Sequence, residues 1–278
     1  MFSLERLSRS PTPLTFRFYI RRAFRIYPLS MFCVGMVLLL KIPFFPFVGT
    51  AFQPPTAVAI AANFLLVQNF LQNPSVTAPL WSLPFEVQMY LALPACFFLA
   101  RKHRGVFYLG LCLLSSACIA SAVKYFTGHW CLLEYIPCFL AGVLAYTLRH
   151  RIRPLLGSMV WPGFLCLWFV GSLALRVKWP ALQSQIGWLS CISLGLSIYC
   201  FRDCRNALWN RVTKTIAQYS YGIYLGHVPM LWLVFRVWGI ANPLLGTCTW
   251  LAMTAVLAVL SYHLIEEPMI GVGRRLSR

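Results

Sequence analysis

Charged residues are scarce in this sequence, and acidic ones are the scarcest. Only 11% of the 278 residues are charged and only six are Asp or Glu, whereas 59% are hydrophobic. Soluble domains carry roughly 25% charged residues. The composition therefore excludes an ordinary soluble domain and predicts a polytopic membrane protein.

The sequence also lacks the cysteine and histidine spacings of metal sites and disulfide frameworks. Its 11 cysteines are scattered through apolar segments, with no CxxC pair and no His–Cys ligand spacing. Cysteines in such surroundings behave as small buried hydrophobes. We therefore predict no metal site and no disulfide framework.

Basic residues outnumber acidic ones by 24 to 6, which gives a formal net charge of +18. In a soluble protein this excess would indicate nucleic-acid binding. Here the Lys and Arg residues lie in short loops between apolar runs, where they orient a protein in the bilayer. We therefore predict membrane lipid, and not nucleic acid, as a partner.

Nine apolar runs follow one another, several of them near the roughly 20 residues that a spanning helix needs. They cover residues 27–48, 57–71, 83–100, 106–123, 131–148, 155–175, 183–200, 216–238 and 244–265. If the run 57–71 does not cross the bilayer, every strongly basic loop falls on one side. The positive-inside rule then predicts an all-α transmembrane helical bundle of about eight spans, with one re-entrant or interfacial segment and both termini cytoplasmic.

This topology divides the chain into three predicted parts. Residues 1–26 form a basic cytoplasmic arm, residues 27–268 form the membrane-embedded helical domain, and residues 269–278 form a basic cytoplasmic tail.

One carboxylate, Glu86, lies in the apolar stretch WSLPFEVQMYLALP, residues 81–94. An ionisable group inside a hydrophobic span is costly unless it has a partner or a task. Glu86 and Tyr90 are four residues apart and share one helical face, which we predict to be part of a site. The alternative is that the helix dipole alone favours a Glu in the first helical turn.

Three arginines, Arg21, Arg22 and Arg25, stand at the start of the stretch RRAFRIYP. Spacings of three and four residues would cluster them on a helix. Arginine binds phosphate in a bidentate manner, so we predict an anionic ligand at this cluster. The alternative is that these arginines set the topology and contact anionic lipid headgroups.

Ser220, Tyr224 and His227, in the late stretch SYGIYLGHVP, share one helical face. Histidine suits general-base chemistry near neutral pH, so His227 is a candidate base with Ser220 and Tyr224 as substrate-binding residues. Pro229 should free backbone carbonyls nearby. The alternative is a histidine that is hydrogen-bonded to a neighbouring helix.

Two adjacent acids, Glu266 and Glu267, precede Pro268 at the end of the last apolar run. In a chain with six acids they are natural partners for the arginines of the cytoplasmic face. We predict them to be structural ion-pair partners.

Taken together, these stretches resemble the integral-membrane acyltransferase family 3, whose members are O-acyltransferases that modify cell-surface polysaccharides, lipopolysaccharide, peptidoglycan and some antibiotics. The order and spacing of six motifs carry the resemblance: Arg21-Arg22-x-x-Arg25-Ile26-x-Pro28, AANFLLVQNF from Ala61, Trp81-Ser82-Leu83-x-x-Glu86-x-Gln88-x-Tyr90-Leu91, IPCFLAGVLAY from Ile136, Ser220-Tyr221-x-x-Tyr224-Leu225-x-His227 and Ile265-Glu266-x-Pro268.

The resemblance implies that an acyl group, often acetyl, passes from cytoplasmic acyl-CoA to a sugar hydroxyl on a lipid-linked or exported glycan. It implies a bacterial inner-membrane protein with acyl-CoA as donor substrate and no bound cofactor. It places the Arg motif on the donor side, and Glu86, Tyr90, Tyr224 and His227 around an intramembrane site.

The sequence departs from the family pattern in three places. The family begins with two helices that precede the Arg motif and carry the His usually regarded as catalytic, and this sequence starts after them. Val87 and Glu267 stand where the family often has an acid and a basic residue. Three interpretations follow: a misassigned start, a shortened and inactive relative, or a base role for His227.

A polytopic solute transporter is the alternative from another functional class. Its midplane polar groups would bind a solute instead of reacting with it.

Overall fold

The computed structural model describes residues 1–8, 14–44, 51–127 and 132–277, without the side chains of Phe2, Arg6, Thr127 and Leu132. Within these residues the chain is helical and has no β-strand, which confirms the predicted all-α class.

Eleven α-helices follow one another in the described ranges. They are α1 Phe2–Leu7, α2 Leu14–Leu39, α3 Ala57–Leu65, α4 Leu83–Ala100, α5 Gly105–Thr127, α6 Ile136–Leu148, α7 Trp161–Lys178, α8 Gln183–Ser197, α9 Ala207–Trp232, α10 Pro243–Ser261 and α11 Glu267–Leu276. Short 3₁₀ turns cover Ala78–Trp81, Leu132–Glu134, Ser158–Val160, Pro180–Leu182 and Ile198–Cys200, and π-helical turns cover Leu233–Val237 and Tyr262–Glu266.

Each of the nine apolar runs overlaps one of these helices. Five helical stretches are long and apolar enough to cross a bilayer: Leu14–Leu39, Ala78–Ala100, Gly105–Phe126, Ser158–Lys178 and Pro243–Leu276. The chain is thus a multi-pass membrane protein, and the count of about eight spans stays a prediction.

Helix α3 is the helix of the run 57–71, and it has only nine residues. At 1.5 Å per residue it is about 14 Å long, roughly half the thickness of a hydrocarbon core. The helix alone is therefore too short to cross, and a crossing would need the whole run 57–71. Whether this run crosses the bilayer, re-enters it or lies at the interface stays a prediction.

The chain forms two compact units, where the sequence analysis predicted one helical domain. Unit 1 consists of Met1–Glu5 and Leu91–Asn210, and unit 2 consists of Arg6–Tyr90 and Arg211–Arg278. The division falls within α1, α4 and α9, so no loop or change in composition marks it in the sequence.

Unit 1 is built around α5, α6 and α8, which pack through Leu109, Leu140 and Val143. Its N-terminal residues are attached to α6, because Glu5 pairs with Arg149 at 3.2 Å and accepts a hydrogen bond from the Tyr146 hydroxyl.

Unit 2 has a core of α2, α4 and α9 side chains, among them Val34, Leu83 and Leu225. The segment after α3 folds onto the fully buried Asn63 side chain. The Asn63 amide nitrogen donates to the carbonyls of Ala59 at 2.8 Å and Pro74 at 3.0 Å, and its oxygen accepts from the Val76 N–H at 3.0 Å. The Asn63 amide therefore supplies partners for three backbone groups, as a membrane protein needs, whereas Gln68 Oε1 and Thr77 Oγ1 of the same segment are buried without a hydrogen-bond partner among the described residues.

The predicted cytoplasmic arm, residues 1–26, stays a prediction, and part of it is helical. Helix α2 begins at Leu14 and continues without a break past residue 26, with Phe18 and Ile26 buried one and three turns along. The tail is mostly helical as well, since α11 packs against α2 and Arg17 Nε donates to the Ser277 carbonyl at 2.8 Å. Arginines interrupt the apolar residues of Leu14–Ile26, so the apolar run 27–48 begins later than α2.

Candidate active site

A cavity of about 480 Å³ in unit 2 brings together six of the side chains predicted to form a site. Those six are Arg22, Arg25, Glu86, Tyr90, Ser220 and Tyr224. They come from α2, α4 and α9, so three helices that are distant in sequence line one cavity, together with the apolar side chains of Ile26, Trp81 and Leu83.

Arg22, Tyr90 and Glu86 form a continuous hydrogen-bonded chain along this cavity. The Arg22 guanidinium carbon lies 4.6 Å from the centre of the Tyr90 ring. Arg22 Nη1 donates to the Tyr90 hydroxyl at 3.4 Å. The Tyr90 hydroxyl donates in turn to Glu86 Oε1. Stacking on an aromatic face orients a planar guanidinium and leaves its remaining N–H groups available for a planar anion.

The hydroxyls of Ser82 and Tyr224 form a second pair, with a fixed direction. Tyr224 donates its single proton to the Pro79 carbonyl at 2.7 Å. The 2.6 Å contact between the two hydroxyls must therefore be donated by Ser82. This pair connects the 3₁₀ turn before α4 to α9.

Tyr221 and Cys33 secure α2 against α9. The Tyr221 hydroxyl donates to the Ile26 carbonyl at 2.8 Å. The Cys33 thiol donates to the Leu225 carbonyl at 3.7 Å, the carbonyl four residues before Pro229, which has no N–H to offer it. The prediction that Pro229 frees a backbone carbonyl agrees with this contact.

Two predicted site residues do not line the cavity. Arg21 Nε donates to the Ser277 hydroxyl at 2.8 Å. His227 contacts the Tyr224 carbonyl of its own helix through Nδ1 at 2.6 Å, so a neutral ring would carry its proton on Nδ1 and keep Nε2 as the basic nitrogen.

The predicted ion pairs of Glu266 and Glu267 are only partly found. Glu267 pairs with His263 at 2.9 Å, four residues earlier on the same face, and not with an arginine. Glu266 makes no ion pair within the described ranges, so its role as an ion-pair partner stays a prediction. Glu266 lies on the buried side of the π-helical turn, whereas the side chain of Arg25 is exposed.

Ser82 and Tyr221 line the cavity but were not predicted as site residues. Ser82 stands near the predicted Glu86 and Tyr90 in sequence, and Tyr221 follows the predicted Ser220. A signal existed for Tyr221: it precedes Leu225 by four residues, on the face of α9 that packs into the core.

The cavity has the chemistry to hold an anionic group beside a hydroxyl. Arg22 and Arg25 supply two guanidiniums, Glu86 is the one carboxylate in its lining, and Ser82 and Tyr224 offer hydroxyl oxygens. Within the described residues, no group of three His, Cys, Asp or Glu side chains comes together in a way that would hold a metal ion.

Comparison with known proteins adds two findings. A family model described as an acyltransferase domain matches residues 1–263. A protein of Bacillus subtilis (strain 168), named "Putative peptidoglycan O-acetyltransferase YrhL", is 28% identical over 233 residues. That match covers 73% of this chain and 36% of the relative, so the chain spans about a third of the relative's length. No solved structure matches the chain.

Proposed function

We propose, because this chain belongs to acyltransferase family 3, that it transfers an acyl group from acyl-CoA to a hydroxyl group of a cell-surface glycan. The family match confirms the resemblance predicted from the six sequence motifs. The observation that carries the proposed activity is the convergence of Arg22, Arg25, Glu86 and Tyr90 in one cavity.

The two arginines support an acyl-CoA donor. Coenzyme A carries phosphates, and guanidiniums bind phosphate oxygens through parallel N–H···O contacts. Arg22 is held in orientation by the Tyr90 ring, which lowers the entropy lost when an anion binds. Arg25 lies one turn further along α2 and faces the same cavity.

The reaction we propose breaks the thioester C–S bond and forms an ester C–O bond. The acceptor hydroxyl loses its proton, and the leaving thiolate gains one. Glu86 is the carboxylate in the cavity lining that can accept the hydroxyl proton and pass it on. Tyr90 holds Glu86 through a hydrogen bond and so acts as a positioning residue.

We propose the acceptor on the basis of the name of the Bacillus subtilis relative. Its name describes a peptidoglycan O-acetyltransferase, so we propose acetyl as the acyl group and a peptidoglycan or lipid-linked sugar as the acceptor. The proposed location is the bacterial inner membrane, because a cytoplasmic donor must meet an acceptor that is exported.

The test is transfer of radiolabelled acetyl from acetyl-CoA to cell-wall glycan by membranes that contain the full-length protein. Glu86→Gln keeps the shape of the side chain and removes its basicity, so transfer should fall by at least about a hundredfold, as for loss of a general base. Glu267→Gln is the matched control, since Glu267 is exposed and lies outside the cavity.

The same assay separates Glu86 from His227 as the base. With Glu86 as base, His227→Gln should keep most of the transfer, because His227 does not line the cavity. Full activity of the Glu86→Gln protein, with normal membrane insertion, would overturn the assignment of Glu86. Loss of activity in His227→Gln alone would assign the base to His227.

A further inference from the structure

A second cavity, of about 200 Å³, lies within unit 1 and shares no lining residue with the first. Its walls include Lys124 of α5, Glu134 of the turn Leu132–Glu134, and Ser184, Gln185 and Trp188 of α8. The proposed acyl transfer uses none of these residues.

Glu134 is buried, and its hydrogen-bonding capacity is mostly unused. The residue is 3% exposed. Its Oε2 accepts one long hydrogen bond from the Ser184 hydroxyl at 3.3 Å, and its Oε1 has no hydrogen-bond donor among the described residues. A carboxylate has about four acceptor positions, and a buried charge with open positions is costly unless something supplies donors.

Gln185 adds a second acceptor to the same cavity. Its Oε1 is buried and likewise has no donor within the described part of the chain. Two side chains of the same lining therefore present oxygens that need O–H or N–H groups. A ligand that fits this cavity must be rich in donors.

The charges in the cavity further restrict the class of ligand that can bind there. Lys124 Nζ lies 3.6 Å from Glu134 Oε1 and donates to the Ser184 hydroxyl at 2.8 Å. A cationic ligand would be repelled by this ammonium, and an anionic ligand by the carboxylate. A neutral ligand with hydroxyl groups is repelled by neither charge, and its hydroxyls can donate to the acid and amide oxygens.

Trp188 supplies a rigid aromatic wall. Its side chain is largely buried, and its Nε1 donates to the Glu134 carbonyl at 2.7 Å, which fixes the ring beside the carboxylate. An aromatic surface next to a few convergent polar groups is the usual composition of a small-ligand site. At roughly 30 Å³ per water, the cavity has room for about six or seven waters, the scale of a single sugar ring.

We propose that this cavity is a binding site for one neutral sugar ring, whose hydroxyls donate to Glu134 and Gln185 while Trp188 packs against the ring. The predicted topology places the Lys124 end of α5 outside the cytoplasm, on the side of an exported glycan. That the sugar belongs to the acceptor glycan rests on the proposed function, whereas the binding itself does not.

The experiment measures sugar binding in the absence of any acyl donor. The full chain, reconstituted in nanodiscs and purified without glycoside detergents, is titrated with N-acetylglucosamine and followed by saturation-transfer difference NMR. Saturation should reach the ring protons of the sugar. Gln185→Ala should weaken binding about tenfold, the loss expected for one buried hydrogen bond, and Glu134→Gln should weaken it at least as much.

Gln183→Ala is the matched control, because Gln183 is an exposed glutamine on the same helix, two residues earlier. It should bind the sugar like the unchanged chain. Gln185→Ala leaves no unpaired charge behind, so its folding should be intact, and normal binding by that variant would overturn the proposal.

Two further results would also overturn the sugar site. One is the absence of saturation transfer in the unchanged chain, which would show that the cavity holds only water. The other is displacement of the sugar by methylammonium, which would assign the cavity to a cation. Glu86→Gln should keep sugar binding while it loses acyl transfer, so failure of the proposed function and failure of this site are distinguishable.

Discussion

A single thiol completes the backbone hydrogen bonding of α9. Pro229 cannot donate to the Leu225 carbonyl, and Cys33 Sγ reaches that carbonyl from α2 at 3.7 Å. The sequence shows the proline and therefore the unsatisfied carbonyl. It does not show the donor, because Cys33 is 192 residues away and only packing brings it there.

Two substitutions of Cys33 test this contact. Cys33→Ser keeps a donor and should change the free energy of unfolding little. Cys33→Val has a similar size but no donor, so it should destabilise the protein by about 1–3 kcal/mol, the cost of a buried unpaired carbonyl. Thermal unfolding in detergent micelles measures the difference. Equal melting temperatures for the two variants would show that the thiol is only a filler of space.

In the candidate active site, too, the sequence shows contacts within a helix but not contacts between helices. The spacing of Glu86 and Tyr90 predicts that they share a face, and the structure joins them by a hydrogen bond. Arg22 and Tyr90 are 68 residues apart, so their stacking follows only from the packing of α2 on α4. His227 satisfied every local criterion for a base, yet its ring bonds its own helix outside the cavity lining.

Two glycines set how closely α9 approaches α10. A Cβ on Gly222 would lie 2.8 Å from Ser261 Oγ and 3.0 Å from Ala258 Cα, and a Cβ on Gly226 would lie 2.9 Å from Leu257 Cδ2. The two glycines are four residues apart, the small-xxx-small spacing that lets membrane helices pack backbone against backbone. Because α9 also carries Ser220, Tyr221 and Tyr224, this contact positions one wall of the cavity.

Gly222→Leu should therefore separate α9 from α10. We expect it to lower the free energy of unfolding by about 1–3 kcal/mol, as overpacking does, and to reduce acyl transfer because the α9 wall moves. Gly35→Leu on α2 is the matched control, since nothing lies within 4 Å of a Cβ at that position. If both variants unfold at the same temperature, close packing at Gly222 is not required.

The positions of the helices could be predicted where hydropathy alone determines them. All nine apolar runs overlap helices, because a membrane segment must satisfy its backbone internally. The apolar run 27–48 begins about 13 residues after the start of α2, since the arginines between Leu14 and Ile26 mask the buried positions Phe18 and Ile26. The division into two units was missed because it cuts through helices.

The topology of the whole chain depends on whether the run 57–71, which includes α3, crosses the bilayer. If it does not, residues 101–104 are cytoplasmic. If it does, the same loop is outside. Fusions truncated at His103 decide between the two, since alkaline phosphatase is active only outside and green fluorescent protein fluoresces only inside.

We expect the His103 fusion to green fluorescent protein to fluoresce and the phosphatase fusion to be inactive. The control is a phosphatase fusion at Lys41, after α2, which both alternatives place outside and which should be active. An active phosphatase at His103 would mean that the run 57–71 crosses. It would also move the sugar-binding cavity of unit 1 to the cytoplasmic side and separate it from an exported glycan.

Spontaneous deamidation of the buried Asn63 amide would disrupt the segment that it holds. Its nitrogen donates to the Ala59 and Pro74 carbonyls, and its oxygen accepts from Val76. Spontaneous deamidation would replace the two N–H donors by a carboxylate oxygen facing two carbonyl oxygens, so a change of one mass unit would release the chain between α3 and residue 76. Complete burial of the side chain keeps water from the amide, so the lifetime of this segment depends on how rarely it opens.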